Sequence, residues 1–270
     1  MDPSRISALL EPFLGPPGDR RLSTDDLDKI SAYIDLLLRW NARINLTAIR
    51  DPEQIVPRHF GESLFMARHL FPDPGTKSEG APTESAPRIA RIASIAMSGN
   101  SAPVTDRSRL ETGGPQQLRV IDLGSGAGFP ALPIKIWAPH IHLTMIESNH
   151  KKAAFLREAV RTLTLTDVDV IAERAESVAA RLPSTAGKAE PAKKPTFQPA
   201  EVVTFRAVEK FNKILPLASK FLAHKAQLAV LLTSAQLDDL RLLPSIKWVS
   251  IHVPQSHHRK VALGSTEWED

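Results

Sequence analysis

Val120-Ile121-Asp122-Leu123-Gly124-Ser125-Gly126-Ala127-Gly128-Phe129-Pro130 is the stretch that decides the fold. A short apolar run carries an acid near its end and opens into a turn with glycine at alternate positions. After a first strand, such a turn lets backbone approach a ligand closely at the carboxyl edge of a sheet. Two cofactor classes compete for it. The dinucleotide fingerprint G-x-G-x-x-G wants its third glycine at position 129, where Phe129 stands, and the observed pattern is D-x-G-x-G-x-G. Asp122 weighs on the choice. A carboxylate leading into the turn opposes a pyrophosphate, whereas the ammonium and sulfonium of S-adenosylmethionine favour it. Glu147 lies 23 residues after Gly124, at the end of a second strand, where an acid can accept hydrogen bonds from both ribose hydroxyls. Asp122, Gly124, Gly126, Gly128 and Glu147 are therefore expected to contact S-adenosylmethionine; a tight turn beside a surface acid is the plainer alternative.

Outward from this turn, strands and helices alternate. Leu118 to Asp122, His142 to Glu147, Val168 to Ala172, Val202 to Phe205 and Leu228 to Leu232 read as strands. Helices are expected from about Asn149, with Phe155, Leu156, Ala159, Val160 and Leu163 on one face, and from Val208 to His224. Trp248 to Val253 and Val261 to Leu263 suit a closing hairpin. This order predicts an α/β protein of Rossmann-like class I methyltransferase type, with a mainly parallel sheet and a closing antiparallel hairpin.

An N-terminal helical region, 1–72, precedes that core. Ser23-Thr24-Asp25-Asp26 is a helix start, and Leu27, Ile30, Ile34 and Leu37 follow at helical spacing. Asp51-Pro52-Glu53 opens another helix, which Pro57 should kink. Residues 73–117 are mostly Ser, Pro, Gly, Thr, Ala and charge, too poor in apolar side chains for a core, and read as a disordered insertion. Only Ile89, Ile92 and Ile95 could make a helical turn there. The core then spans 118–270, with a flexible insertion at 183–199.

Composition bounds the chemistry. With no cysteine in 270 residues, disulfides, thiolate metal sites and cysteine nucleophiles are excluded. His252, His257 and His258 lack helical spacing and a local carboxylate; beside Arg259 and Lys260 they read as a basic surface patch, and no metal site is expected. A net charge of +4 permits nucleic-acid binding without requiring it. The start lacks a signal-peptide pattern and no apolar run reaches about 18 residues, so a cytoplasmic protein is expected, with no membrane partner.

Several segments resemble the ribosomal RNA small subunit methyltransferase G family, also called glucose-inhibited division protein B. They are Leu38-Arg39-Trp40-Asn41-Ala42-Arg43-Ile44-Asn45-Leu46-Thr47, Arg58-His59-Phe60-Gly61-Glu62-Ser63, the glycine loop with Phe129-Pro130, and Phe205-Arg206-Ala207. The Trp40-to-Thr47 run is the most specific, being foreign to most methyltransferases. The resemblance implies that Gly124 and Phe129 touch the cofactor and that Ala175-Glu176 lie along its adenine. It further implies that Arg206 belongs to the cofactor and active-site region, and that Arg174 reaches the target nucleotide or its phosphate. Arg174 and Arg206 are the expected catalytic residues. Two departures stand out: Glu62 replaces the family's usual Asp, and Leu232-Thr233 replace a usual Lys-Gly.

The atom methylated is constrained separately. Cytosine carbon 5 needs a cysteine nucleophile. Exocyclic amines use a D/N-P-P-Y/F motif after strand four, and this chain has Thr204-Phe205-Arg206-Ala207 there. A ring nitrogen such as guanine N7 has a free lone pair and needs only positioning. The expectation is an S-adenosylmethionine-dependent methyltransferase acting on N7 of a guanine in bacterial 16S rRNA or the assembling small subunit, as a monomer. The alternatives are another substrate on the same fold, or a methyltransferase-like domain serving as an RNA-binding module.

Overall fold

The structure, a computed structural model, describes residues 1–16, 18–72, 117–183, 197–206 and 211–266. The expected insertion at 73–117 lies outside the described residues except for its last position, as does 184–196 within the second insertion. That second boundary needs correction at its end. Phe197 is half-buried and meets Phe221 edge-on at 6.1 Å, so the chain rejoins the core before 199.

Helix α1 spans Pro3–Leu14 and α2 spans Thr24–Asn41. The start signal at Ser23 forms a full capping box: Ser23 Oγ accepts from the Asp26 amide at 3.1 Å, and Asp26 Oδ2 accepts from the Ser23 amide at 3.0 Å. Next, α3 (Pro52–Ile55) runs through a π-helical turn, Val56–Gly61, into α4 (Glu62–Leu70). Pro57 does not break this rod. Its missing N–H and bulky ring are absorbed by the wider π turn, which sets Arg58 and Glu62 off the ordinary helical register.

Seven strands follow in the order β3-β2-β1-β4-β5-β7-β6. They are β1 (Arg119–Leu123), β2 (His142–Ile146), β3 (Val168–Ile171), β4 (Ala200–Arg206), β5 (Leu222–Thr233), β6 (Lys247–His252) and β7 (Arg259–Ser265). The first five run parallel, and β7 is antiparallel to both β5 and β6. The crossover helices are α5 (Ala131–Trp137), α6 (His150–Thr162), α7 (Ala175–Ala179) and α8 (Phe211–Ser219). The helix expected over Val208 to His224 is shorter at its C-terminal end, because Leu222 already pairs with Ala200 in the sheet. Its start at 208–210 lies outside the described residues.

Side chains alternate across the sheet and divide the core in two. Val120, Leu143, Val202 and Val261 face one cluster with α1, α2, α4 and α6, while Ile121, Ile146, Val203 and Val230 face the other with α8. The N-terminal helices thus share a continuous core with one face of the sheet. Strand order reverses between β1 and β4, and the carboxyl ends of both open onto one crevice, where doubly wound sheets bind ligands.

Candidate functional site

All three loop glycines have positive φ: +67° at Gly124, +55° at Gly126 and +80° at Gly128. They are not equivalent. A Cβ on Gly124 would meet nothing within 4 Å, and one on Gly126 only the Gly124 carbonyl at 3.8 Å. A Cβ on Gly128 would come within 2.7 Å of Leu132 Cδ1 and collide with the Tyr33 hydroxyl. Gly124 and Gly126 therefore face open space, whereas Gly128, expected as a cofactor contact, is turned into the protein.

Glu147 is buried at the end of β2 and holds the loop. Its Oε2 accepts from the Gly126 amide at 2.8 Å and its Oε1 from the Asn149 amide at 2.7 Å. Each oxygen retains a further lone pair for a ligand hydroxyl. Beneath the loop, Asp122 is fully buried. Its Oδ1 accepts from Thr204 Oγ1 at 2.7 Å, and its Oδ2 has no hydrogen-bond partner. Burial pushes its pKa up to about 7, against the pull of Ser125 and Thr204 and with a push from Glu147. Asp122 is thus not the fixed carboxylate its sequence position suggested; it stands near half-protonation at neutral pH.

Phe129 is buried in an aromatic stack. His59 lies 4.8 Å away on one side, Tyr33 stacks at 5.3 Å, and Phe60 meets it edge-on at 5.1 Å. The Tyr33 hydroxyl donates to the Ala127 carbonyl inside the loop. His59 is tied in turn to the Trp40-to-Thr47 run. Asn41 Oδ1 accepts from the Leu46 and Thr47 amides at 2.9 and 3.1 Å, and Thr47 Oγ1 meets His59 Nε2 at 2.7 Å. That N-terminal motif is therefore a brace reaching the glycine loop through His59. Burial, then Arg206 and Arg259, depress the His59 pKa to about 3, so its ring is neutral.

Arg206, at the end of β4, is not a surface residue: its side chain is 8% exposed. Its Nη2 pairs with Glu62 Oε2 at 2.9 Å and donates to the Arg58 carbonyl at 2.7 Å, leaving Nη1 buried without a partner. Arg259 Nη1 donates to the same Glu62 oxygen at 2.8 Å. Burial lowers the Arg206 pKa to about 10, with Glu62 opposing, so it stays charged. Arg174 and Glu176 are exposed and Ala175 half-exposed at the start of α7, on the same carboxyl edge of the sheet. The expected residues therefore share one edge. Sequence reasoning had given no site role to Tyr33, His59 or Glu62. The quoted Arg58-to-Ser63 run contained the last two, and Tyr33 is the chain's lone tyrosine.

Among the described residues, no group of three or more His, Asp or Glu could hold a metal ion, and no helix is long and apolar enough to cross a membrane. The His257 and His258 rings lie 6.4 Å apart at their centroids.

The parallel sheet with one reversed strand, and a glycine loop open above its switch point, define a Rossmann-like class I methyltransferase fold. The profile of the family described as rRNA small subunit methyltransferase G matches residues 26–74 and 108–261, and the chain belongs to that family. Proteins named ribosomal RNA small subunit methyltransferase G are similar to it. The one from Chloroflexus aggregans is 33% identical over 73% of this chain and 60% of the relative. Those from Roseiflexus castenholzii and Xylella fastidiosa are 36% and 31% identical, over 58% and 81% of this chain and 49% and 74% of the relatives. The chain thus spans only 60% and 49% of the length of the Chloroflexus and Roseiflexus proteins. Among solved structures, TrmN from Thermus thermophilus aligns at a TM-score of 0.41 with 15% identity, over 55% of this chain and 43% of that one. Precorrin-6y C5,15-methyltransferase from Geobacter metallireducens aligns at 0.38 with 12% identity, over 57% and 81%. The fold assignment rests on the strand order itself.

Proposed function

We propose that this chain transfers the methyl group of S-adenosylmethionine to N7 of a guanine in bacterial 16S rRNA, free or in the assembling small subunit, as a cytoplasmic monomer. The observation that carries this reading is the contrast among the three glycines. Two of them leave the loop bare toward the crevice, beside a carboxylate that two backbone amides fix in place. The residues present fit that cofactor. The open Gly124 and Gly126 admit its close approach, Glu147 keeps lone pairs for ribose hydroxyls, and the Asp122 Oδ2 without a donor favours a cation nearby. Ala175 and Glu176, at the start of α7 on the same edge of the sheet, are the residues assigned to the adenine by the family resemblance. S-adenosylmethionine, when bound, supplies an electrophilic methyl on sulfur.

The protein's part is then binding and orientation. Guanine N7 carries its own lone pair, so no base is required, and the contribution is alignment and exclusion of water. Phe129, clamped by Tyr33 and His59, fixes the far end of the loop. Arg206, at the end of β4, holds Glu62 and the Arg58 carbonyl in place beside the crevice, and exposed Arg174 supplies charge for an RNA phosphate. The names of the similar proteins support ribosomal RNA as the target.

The test has two arms. Calorimetry should detect S-adenosylmethionine binding and no NAD binding. Tritiated methyl transfer should label naked small-subunit RNA or subunits, and only at guanine N7. Binding without transfer to any RNA would favour an RNA-binding module instead.

A further inference from the structure

The turn between β6 and β7, residues 253–258, stands at the carboxyl edge of the sheet, because Arg259 at the start of β7 pairs with Thr233 at the end of β5. Lys260 lies directly opposite Leu232 on one side and His252 on the other, so the three side chains share a face. Leu232 is 3% exposed and stands where the family usually has lysine. The register therefore sets the Lys260 stem beside an apolar neighbour and brings a cation from β7 to the place where β5 has none. His252, His257 and His258 are exposed, and neither they nor Lys260 form an ion pair among the described residues. Behind them the charge is one-sided. Arg58, Arg206 and Arg259 surround the single carboxylate of Glu62 at 3.5, 2.9 and 2.8 Å. Three cations against one anion leave this end of the sheet at positive potential.

We propose that the β6–β7 turn, with Lys260 at its base, holds backbone phosphates of the RNA to one side of the target guanine. The inference rests on the methyltransferase reading above and names where its substrate lies. Spacing along the edge supports it. Two strand steps separate β7 from β4 and three separate it from β1, so about 10–14 Å divides this surface from the cofactor crevice. That is too far for contact with the base being methylated, and it suits phosphates of neighbouring nucleotides. The donors suit phosphate as well. An ammonium is a compact charge with no preferred plane, and imidazoles add N–H donors, so the surface supplies affinity and register while the crevice chooses the base. Arg161, an exposed cation at the far end of α6, lies toward the opposite edge of the sheet and takes no part.

The test measures binding of naked 16S rRNA, and of intact small subunits, to the full chain saturated with S-adenosylhomocysteine over a salt series. Lys260→Gln should weaken binding to naked RNA several-fold and flatten the slope of log affinity against log salt by about 0.7, the loss of one phosphate contact. The double variant His257→Ser, His258→Ser, confined to exposed turn residues, should weaken it too. Lys260→Arg should keep parental affinity, and so should Arg161→Gln, which removes the same charge elsewhere. Melting temperature and S-adenosylhomocysteine affinity should stay parental in all four. Lys260→Gln binding RNA as well as the parent, or losing no more than Arg161→Gln, would overturn the proposal and leave the methyltransferase reading intact. Parental RNA affinity in the histidine variant would overturn it as well, and that variant decides if Lys260→Gln fails to fold. Losses confined to intact subunits would overturn it by assigning the turn to a ribosomal protein. A parent that binds S-adenosylhomocysteine and no RNA would defeat the RNA reading together with the proposal.

Discussion

The ring of Tyr33, in α2, stacks on that of Phe129 with centroids 5.3 Å apart and planes within 8°. This contact joins the N-terminal helices to the end of the glycine loop, and the Tyr33 hydroxyl adds a hydrogen bond to the Ala127 carbonyl. The helical region therefore shapes the cofactor crevice as well as the core. Tyr33→Phe keeps the stack and loses one hydrogen bond, a cost of about 1 kcal/mol. Tyr33→Ala removes a fully buried ring, a cost of about 3–5 kcal/mol, and should weaken S-adenosylmethionine binding as well. Thermal melts and calorimetry on both variants check this. Equal effects of the two substitutions would contradict the stacking role.

The glycines should separate function from folding. Gly126→Val should abolish S-adenosylmethionine binding, because its side chain would occupy the open approach, while the fold survives with some strain from the positive φ. Gly128→Ala should instead lower the melting temperature by several degrees, since its Cβ collides with Tyr33 and Leu132. Melting curves beside binding isotherms for the pair would reveal the split. A Gly128→Ala protein as stable as the parent would contradict it.

Asp122 and His59 pull stability in opposite directions with pH. The buried Asp122 has its pKa raised to about 7, so between about pH 4 and 7 the folded chain holds a proton that the unfolded chain has released. Its contribution to stability therefore falls as pH rises through that window. His59, depressed to about 3, binds its proton in the unfolded chain first, so its contribution falls as pH drops below about 6.5. Asp122→Asn keeps the acceptor for Thr204 and removes the first slope. The variant should melt above the parent at pH 8 and lose that advantage near pH 4. A lower melting temperature than the parent at pH 8 would contradict the assignment. A cationic ligand beside Asp122 would lower its pKa, so cofactor affinity in the parent should increase with pH through 7.

Arg206 should matter for folding as well as for activity. Removing one partner of a buried ion pair costs up to about 3–5 kcal/mol, and here Arg259 softens the loss by keeping hold of Glu62. Arg206→Ala should thus lower both the melting temperature and methyl transfer. Arg206→Lys should recover part of the stability and little of the activity, because an ammonium cannot hold Glu62 and the Arg58 carbonyl in one plane. A double-mutant cycle with Glu62→Gln measures the coupling. Additive losses would rule out a shared role.

Much of this was legible in the chain. The short apolar run of β1, the second strand at His142, the turn after Asp122 and the helix start at Ser23 are local patterns, and all formed as expected. What sequence could not supply depends on contacts between distant residues. Glu62 and Arg206 are 144 positions apart, and nothing in either segment marks them as partners. The raised pKa of Asp122 arises from its complete burial in the folded chain, which the motif itself does not reveal. The three glycines look identical in the motif; the packing of Leu132 and of Tyr33, 95 residues before Gly128, distinguishes the one that packs from the two that stay open. The end of the helix before β5 was misplaced because apolar residues near Leu222 suit a strand or a helix equally well, until pairing with Ala200 decides.

The central claim is that this crevice moves a methyl group onto guanine N7 of small-subunit RNA. The most direct measurement incubates the full chain with tritiated S-adenosylmethionine and small-subunit RNA, then cleaves the product with borohydride and aniline, which cut only at N7-methylguanine. The account predicts label in the RNA and a single new strand break, both lost in Gly126→Val. Label on another atom, or none despite measured S-adenosylmethionine binding, would contradict it.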